Sequence, residues 1–197
     1  YFKLVAGVSV ILNGHHYDHD QPFRLIGGDF SGIQNFIYTI SSKGALKTLR
    51  ARAFYLELLG EHFIFQLLQK LELPRTNLIF GGGGGFLLLA PNRAKGETEE
   101  VVTVVTREHE HFNRFLHKEF GTRIYMALGS EATVALHGPS FFSAWKNLQE
   151  KIEEDKRKKF LFQINEPNFW QPRSPNQFTN EEECCICHND EVPTKQP

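Results

Sequence analysis

The chain is predicted to adopt an α+β fold of the order strand, helix, strand, strand, helix, strand. Three observations carry that expectation. Four short apolar runs, at 23–26, 77–80, 86–90 and 123–128, alternate with two long stretches whose apolar residues recur at helical spacing, and glycine and proline punctuate the series. The 197 residues, 41% of them hydrophobic, suffice for one core of about 100–150 residues with appendages. A net charge of -1 excludes a uniformly basic nucleic-acid binder, so contact with an anion must come from a local patch.

The elements follow in order. Residues 1–12 read as a helix entered mid-pattern; the apolar run 4–12 is too short to span a membrane and lacks a signal peptide's basic flank and cleavage pattern, which points to a cytoplasmic chain. His15-His16-Tyr17-Asp18-His19-Asp20 reads as a polar connector rather than a metal site, because an HD-type centre needs further ligands on surrounding helices. Phe23-Arg24-Leu25-Ile26, preceded by Pro22 and ended by Gly27-Gly28, suits a strand. Asp29 and Ser31 can then cap a helix that starts near Gly32 and aligns Ile33, Phe36, Ile37 and Ile40. In the next helix Tyr55, Leu59, Phe63, Leu67 and Leu71 recur at steps of four, widened by Phe54, Leu58, Ile64 and Leu68, until Pro74 stops the pattern. Residues 77–80 and 86–90 form a hairpin around five glycines, Gly81 to Gly85. Val101, Val104, Val105, Phe112, Phe115, Leu116 and Phe120 mark an amphipathic helix ending at Gly121, with His109, His111 and His117 assigned to its solvated face, and 123–128 supplies the last strand. The result is the split βαβ arrangement of ferredoxin-like folds, shared by polymerase and nucleotidyl-cyclase palms.

After Ser140, Trp145, Leu148 and Ile152 continue a helix into a mixed charge run at 153–159 that reads as solvent-exposed. Residues 165–180, rich in Pro, Asn and Gln, read as linker. Cys184 and Cys187 have the spacing of half a zinc knuckle, with Cys185 and His188 as spare ligands where a closed site needs four; unligated thiols are the alternative.

A palm presents one carboxylate at the end of its first strand and further acids in the adjacent hairpin, so that two metal ions bridge triphosphate and attacking hydroxyl. Here Asp29 is present and the hairpin is all glycine. Asp29 at a strand-to-helix junction suits an anion as well as it suits a simple cap. Five glycines suggest close approach of a ligand to the backbone, with a plain flexible turn as the alternative. Between Asp29 and Glu57 there is no acid, while Lys43, Lys47, Arg50 and Arg52 supply a patch able to face phosphate, unless it is only a solvated helix entry.

Residues 27–59, together with the hairpin at 77–92 and the cysteine pair, resemble the large subunit of type III-A CRISPR effector complexes, the Csm-type member of the "Cas-ten" family, from its first palm to the start of its zinc-finger region. The resemblance implies a parent that cuts single-stranded DNA with an HD domain. It also implies that a second palm, bearing Gly-Gly-Asp-Asp, joins ATP into cyclic oligoadenylates with Mg or Mn. Neither catalytic motif occurs in these 197 residues, so no catalytic residue is assigned. The implied organisation is a helix end and connector at 1–20, the first palm at 21–160, and a linker with a partial cysteine-rich segment at 161–197, where zinc binding is possible but incomplete. Asp29, Phe30, Ser31, Gly32, Gln34, Gly81, Gly82, Gly83 and Gly84 are the expected nucleotide-binding residues. Lys43, Lys47, Arg50 and Arg52 are the expected RNA contacts, and Cys184 and Cys187 the metal ligands. Implied partners are guide RNA, target RNA, other effector subunits and the remaining domains of the same subunit, in a prokaryotic cytoplasm and without a membrane. The alternative is a non-catalytic scaffold that binds guide RNA and neighbouring subunits.

Overall fold

A computed structural model describes residues 2–14, 23–38, 45–92 and 100–170. The order is α1 (Phe2–Gly14), β1 (Phe23–Ser31), α2 (Ile33–Tyr38), α3 (Ala45–Lys70), a 3-10 turn (Arg75–Asn77), β2 (Leu78–Gly82), β3 (Gly85–Pro91), α4 (Val101–Phe120), β4 (Tyr125–Thr133) and α5 (Gly138–Arg157). The strands form one antiparallel sheet in the order β2-β3-β1-β4. With α3 linking β1 to β2 and α4 linking β3 to β4, this is the ferredoxin-like palm topology.

Two cores sandwich the sheet. On one face α2, α3 and α4 pack Phe36, Leu56, Leu59, Phe63, Leu67 and Leu116 against Ile26, Phe30, Leu88 and Met126. On the other, Ile11 from α1 and Ala144, Leu148 and Ile152 from α5 cover Leu25, Leu89, Tyr125 and Ala127. The buried stripe of α3 runs through Arg52, Leu56, Leu59, Phe63 and Leu67, which leaves Phe54, Tyr55 and Leu58, all placed on the apolar stripe from sequence, on the outside.

β1 is longer than its apolar run suggests. Gly27-Gly28 does not end it; the strand continues to Ser31, and Gly27 pairs with Gly129 of β4. α5 crosses the sheet over this pair. A Cβ on Gly129 would lie 3.0 Å from the Leu148 carbonyl oxygen, and one on Gly27 3.1 Å from Ile152, so two hydrogens in place of side chains let the helix settle on the strands. The residues after α5, read as linker from 161 onward, pack as well: Phe162 and Phe169 sit against the second core, and Arg114 on α4 bonds Glu166 at 3.0 Å. Residues 15–22, which include the histidine-rich connector, and 171–197, which include Cys184 and Cys187, lie outside the described residues.

Candidate nucleotide-facing hairpin

The glycine run is a hairpin of ordinary length. Gly81 and Gly82 finish β2, Gly85 starts β3, and Gly83-Gly84 make the two-residue turn. Their φ values of +64° and +90° are those of a type I′ turn, so the first cause of these two glycines is conformational. The tip is tied to the sheet by the Phe30 N-H, which donates to the Gly84 carbonyl at 2.9 Å. Gly82 and Gly83 face open space, with nothing within 4 Å of a built Cβ, whereas Gly84 lies under Ile33.

Asp29 lies within β1, opposite Gly85 and Ala127, rather than capping α2. Its Oδ2 accepts a bond from Lys156 Nζ at 2.7 Å, and the same ammonium reaches Glu153 Oε1 at 2.8 Å. Burial alone would depress the Lys156 pKa, but the bonds and charges of Asp29 and Glu153 outweigh it and hold that pKa above its ordinary value. Lys156 belongs to the charge run assigned to solvent from sequence; only 24% of its side chain is exposed. On the opposite face, Glu57, Gly60 and Glu61 of α3 line a crevice with Gly82, Gly84 and Gly85, and Glu61 is paired with Arg75 at 2.7 Å.

The other expected site residues divide. Phe30 is 4% exposed and tilts against Phe112 in the core, so its side chain does not face a ligand. Gly32, with φ of +94°, serves a close approach: a Cβ there would stand 1.9 Å from the Arg123 carbonyl oxygen. Ser31 is half-buried, while Gln34 and Gly81 are exposed. Arg52 leaves the expected cationic patch, since it is buried, donates to the Phe36 carbonyl at 2.6 Å and lies over the Phe36 ring. Lys47 and Arg50 stay exposed on α3, and Lys43 lies outside the described residues.

α5 is anchored at the free edge of β4. Asp155 accepts the Leu128 N-H at 2.9 Å and the Tyr125 hydroxyl at 3.2 Å, and its carboxylate lies 3.3 Å from His109 Nε2, which donates to the Met126 carbonyl at 2.7 Å. Asn113 brackets Met126, donating to its carbonyl and accepting its N-H. Burial, then the Asp155 charge and bond, push the Tyr125 hydroxyl far above the ordinary tyrosine range. His109 is thus buried rather than solvated, and side chains satisfy an edge that would otherwise invite another strand. No spacing in the sequence marks this cluster, because it joins α4, β4 and α5 across 46 residues, from His109 to Asp155.

No group of three or more His, Cys, Asp or Glu side chains gathers among the described residues to hold a metal ion. Asp29 faces α5 and is already paired, and Glu57 and Glu61 lie on the α3 side, so these acids do not suit a two-metal centre. No described helix is long and apolar enough to cross a membrane.

Comparison with known proteins places these features. Residues 22–175 match the family model of Csm1 subunit domain B. The chain is 35% identical over 186 residues to a CRISPR system single-strand-specific deoxyribonuclease Cas10/Csm1 (subtype III-A) of Mycobacterium tuberculosis, covering 86% of this chain and 22% of the relative. A protein of the same name from Thermococcus onnurineus is 38% identical over 149 residues, covering 72% and 18% respectively. Among solved structures, a Csm1-Csm4 cassette in complex with one ATP superposes with a TM-score of 0.69 at 31% identity over 83% of this chain and 24% of that chain. A Csm1-Csm4 cassette in complex with cA4 gives 0.64 at 36% identity over 75% and 21%. The chain therefore spans about a fifth of the length of the curated relatives it matches.

Proposed function

Because the chain belongs to the family of Csm1 subunit domain B, and so to the large subunit of type III-A CRISPR effectors, we propose that it is a nucleotide-binding palm without metal acids of its own. It works opposite a Gly-Gly-Asp-Asp palm located outside these residues. The observation that carries this reading is the hairpin: two open glycines at its tip, beside a single carboxylate on the α5 face whose charge is already met by Lys156. Such a surface offers backbone N-H groups to a phosphate or a base edge and offers a metal ion nothing. The ATP and cA4 complexes of similar cassettes support the same substrate class.

On this reading ATP is bound here by the backbone of Gly81 to Gly84, with Ser31 and Gln34 at its border, while Asp29 stays with Lys156. It is positioned for attack by, or on, a second ATP held at the acidic palm. Mg or Mn would supply its charge at that palm, and no step is routed through a metal on this chain. The subunit works in a prokaryotic cytoplasm with guide and target RNA and other effector subunits; Lys47 and Arg50 remain available as RNA contacts, and Cys184 and Cys187 as two ligands of a zinc site. The test is direct. Incubated alone with ATP and magnesium, the chain yields no cyclic oligoadenylate, while the complete target-bound effector does; robust product from the chain alone would overturn the degenerate-palm reading.

A further inference from the structure

We infer that the groove between α3 and α4 is a second anion site, separate from the hairpin, that seats the phosphate chain of a single-stranded nucleic acid. The groove has a volume of about 400 Å³. Its rim carries His62, Gln66 and Lys70 on α3 and Arg107 and His111 on α4. Its floor is formed by Phe63 and Phe112, stacked with centroids 4.6 Å apart.

Three features select this ligand class. The rim is rich in donors: two permanent cations, two imidazoles and an amide stand against one carboxylate, Glu108, which lies 3.9 Å from the Arg107 guanidinium and is only 13% exposed. Donors also stand in rows. His62, Gln66 and Lys70 are spaced at i, i+4 and i+8, which places them about 6 Å apart over about 12 Å of helix. That step is close to the separation of successive phosphates in a stretched strand, whereas one small anion would want its donors converged on a point. Finally, His62, Lys70, Arg107 and His111 are exposed while Phe63 and Phe112 are closed beneath them, so the groove is an open track rather than an enclosed metabolite cavity. Lys and Arg bind such a backbone without reading its sequence. The row is invisible in the sequence because its members come from two helices and are diluted by the near-neutral whole.

This proposal stands apart from the hairpin reading, and its experiment keeps the two apart. The complete subunit carrying Lys70→Gln and Arg107→Gln is titrated with a short unstructured single-stranded RNA between about 50 and 200 mM salt. We expect affinity to fall about tenfold or more and the slope of log K against log salt to become shallower by about 1.4, at roughly 0.7 for each phosphate no longer neutralised. The melting temperature and ATP binding stay at parental values. In parallel, 4-thiouridine photocrosslinking of the unaltered subunit should mark peptides containing residues 62–70 and 107–111, which isolates this groove from any other RNA surface. Parental affinity and slope together with no crosslink to either helix would overturn the proposal. So would competition of the RNA by inorganic phosphate at equal phosphate concentration, which would indicate a small-anion site. Loss of neighbouring-subunit capture with RNA binding intact would make the groove a protein interface and also overturn it.

Discussion

Lys156→Met removes the one cation between Asp29 and Glu153 while keeping the length and most of the apolar stem of the side chain. With charge centres roughly 4 Å apart, the Asp29 attraction is about 1 kcal/mol in water and about 4 kcal/mol at an effective dielectric of 20. Lys156 is 24% and Asp29 40% exposed. Desolvation and side-chain ordering then reduce the pair to about 1 kcal/mol net, and the i,i+3 contact with Glu153 adds about 0.3 kcal/mol. A loss near 1.3 kcal/mol corresponds to about 3–5 °C in a domain of this size. The pH dependence has a definite sign. Because the folded Lys156 pKa is raised, its contribution is present below the unfolded value near 10.4 and disappears as pH rises through the folded value. Because the Glu153 pKa is lowered, first by its bond to Lys156, its part is present above the ordinary glutamate value and is lost as pH falls through the depressed one. Thermal melts of parent and variant should therefore differ most between about pH 5 and 10, narrow by the small Glu153 share as pH falls, and converge as pH rises past the folded Lys156 value. A double-mutant cycle with Asp29→Asn should return a coupling of about 1 kcal/mol, reduced in about 1 M salt. A gap of only a few tenths at pH 7, or a gap that persists unchanged as pH rises past the folded Lys156 value, would show that Lys156 is a solvated surface residue and Asp29 a free carboxylate. The claim that this face is closed to metal would then fail.

Other perturbations probe how α5 is held. Tyr125, buried and bonded to Asp155, should stay protonated through the pH at which an unperturbed tyrosine ionises, about 10, read by ultraviolet absorbance; Asp155→Ala should release it and cost about 2–3 kcal/mol by denaturant melt. Gly129→Ala should cost about 1–3 kcal/mol, because the new methyl meets the Leu148 backbone carbonyl rather than a movable side-chain end; an unchanged midpoint would contradict the close crossing of α5.

The sheet and its order are legible in the sequence because strand-like runs and helical periods alternate, and because the α4 stripe holds at Val101, Val104, Val105, Phe112 and Leu116, although it also takes in His109 and Asn113 and leaves Phe115 exposed. The site is less so. Gly27-Gly28 looks like a strand end, since a glycine pair carries the same letters whether it makes a turn or admits a helix across the sheet. Only the partner Gly129, 102 residues away, distinguishes the two. Arg52 and Lys156 are misplaced by sequence for a related reason: charge implies exposure only until a carbonyl or carboxylate on another element meets it, as Phe36 and Asp29 do here. Phe54, Tyr55 and Leu58 fall outside because the buried stripe of α3 enters through Arg52 and Leu56 rather than through Tyr55. The glycine turn itself is read correctly, yet its two positive φ angles mean that its composition alone is no argument for a ligand.

The measurement that bears most directly on the nucleotide-facing hairpin is ATP binding and oligoadenylate synthesis by the complete subunit carrying Gly83→Asn. Asparagine tolerates the φ of +64° at this position, and nothing lies within 4 Å of its Cβ, so the fold is spared while a side chain enters the space assigned to the nucleotide; valine would confuse that loss with backbone strain. The expected result is a parental melting temperature, intact guide-RNA assembly and single-stranded DNA cleavage, ATP affinity at this palm reduced about tenfold, equivalent to about 1.4 kcal/mol, and synthesis reduced with it. Parental affinity and synthesis in the folded variant would mean that the five glycines form a turn and nothing more.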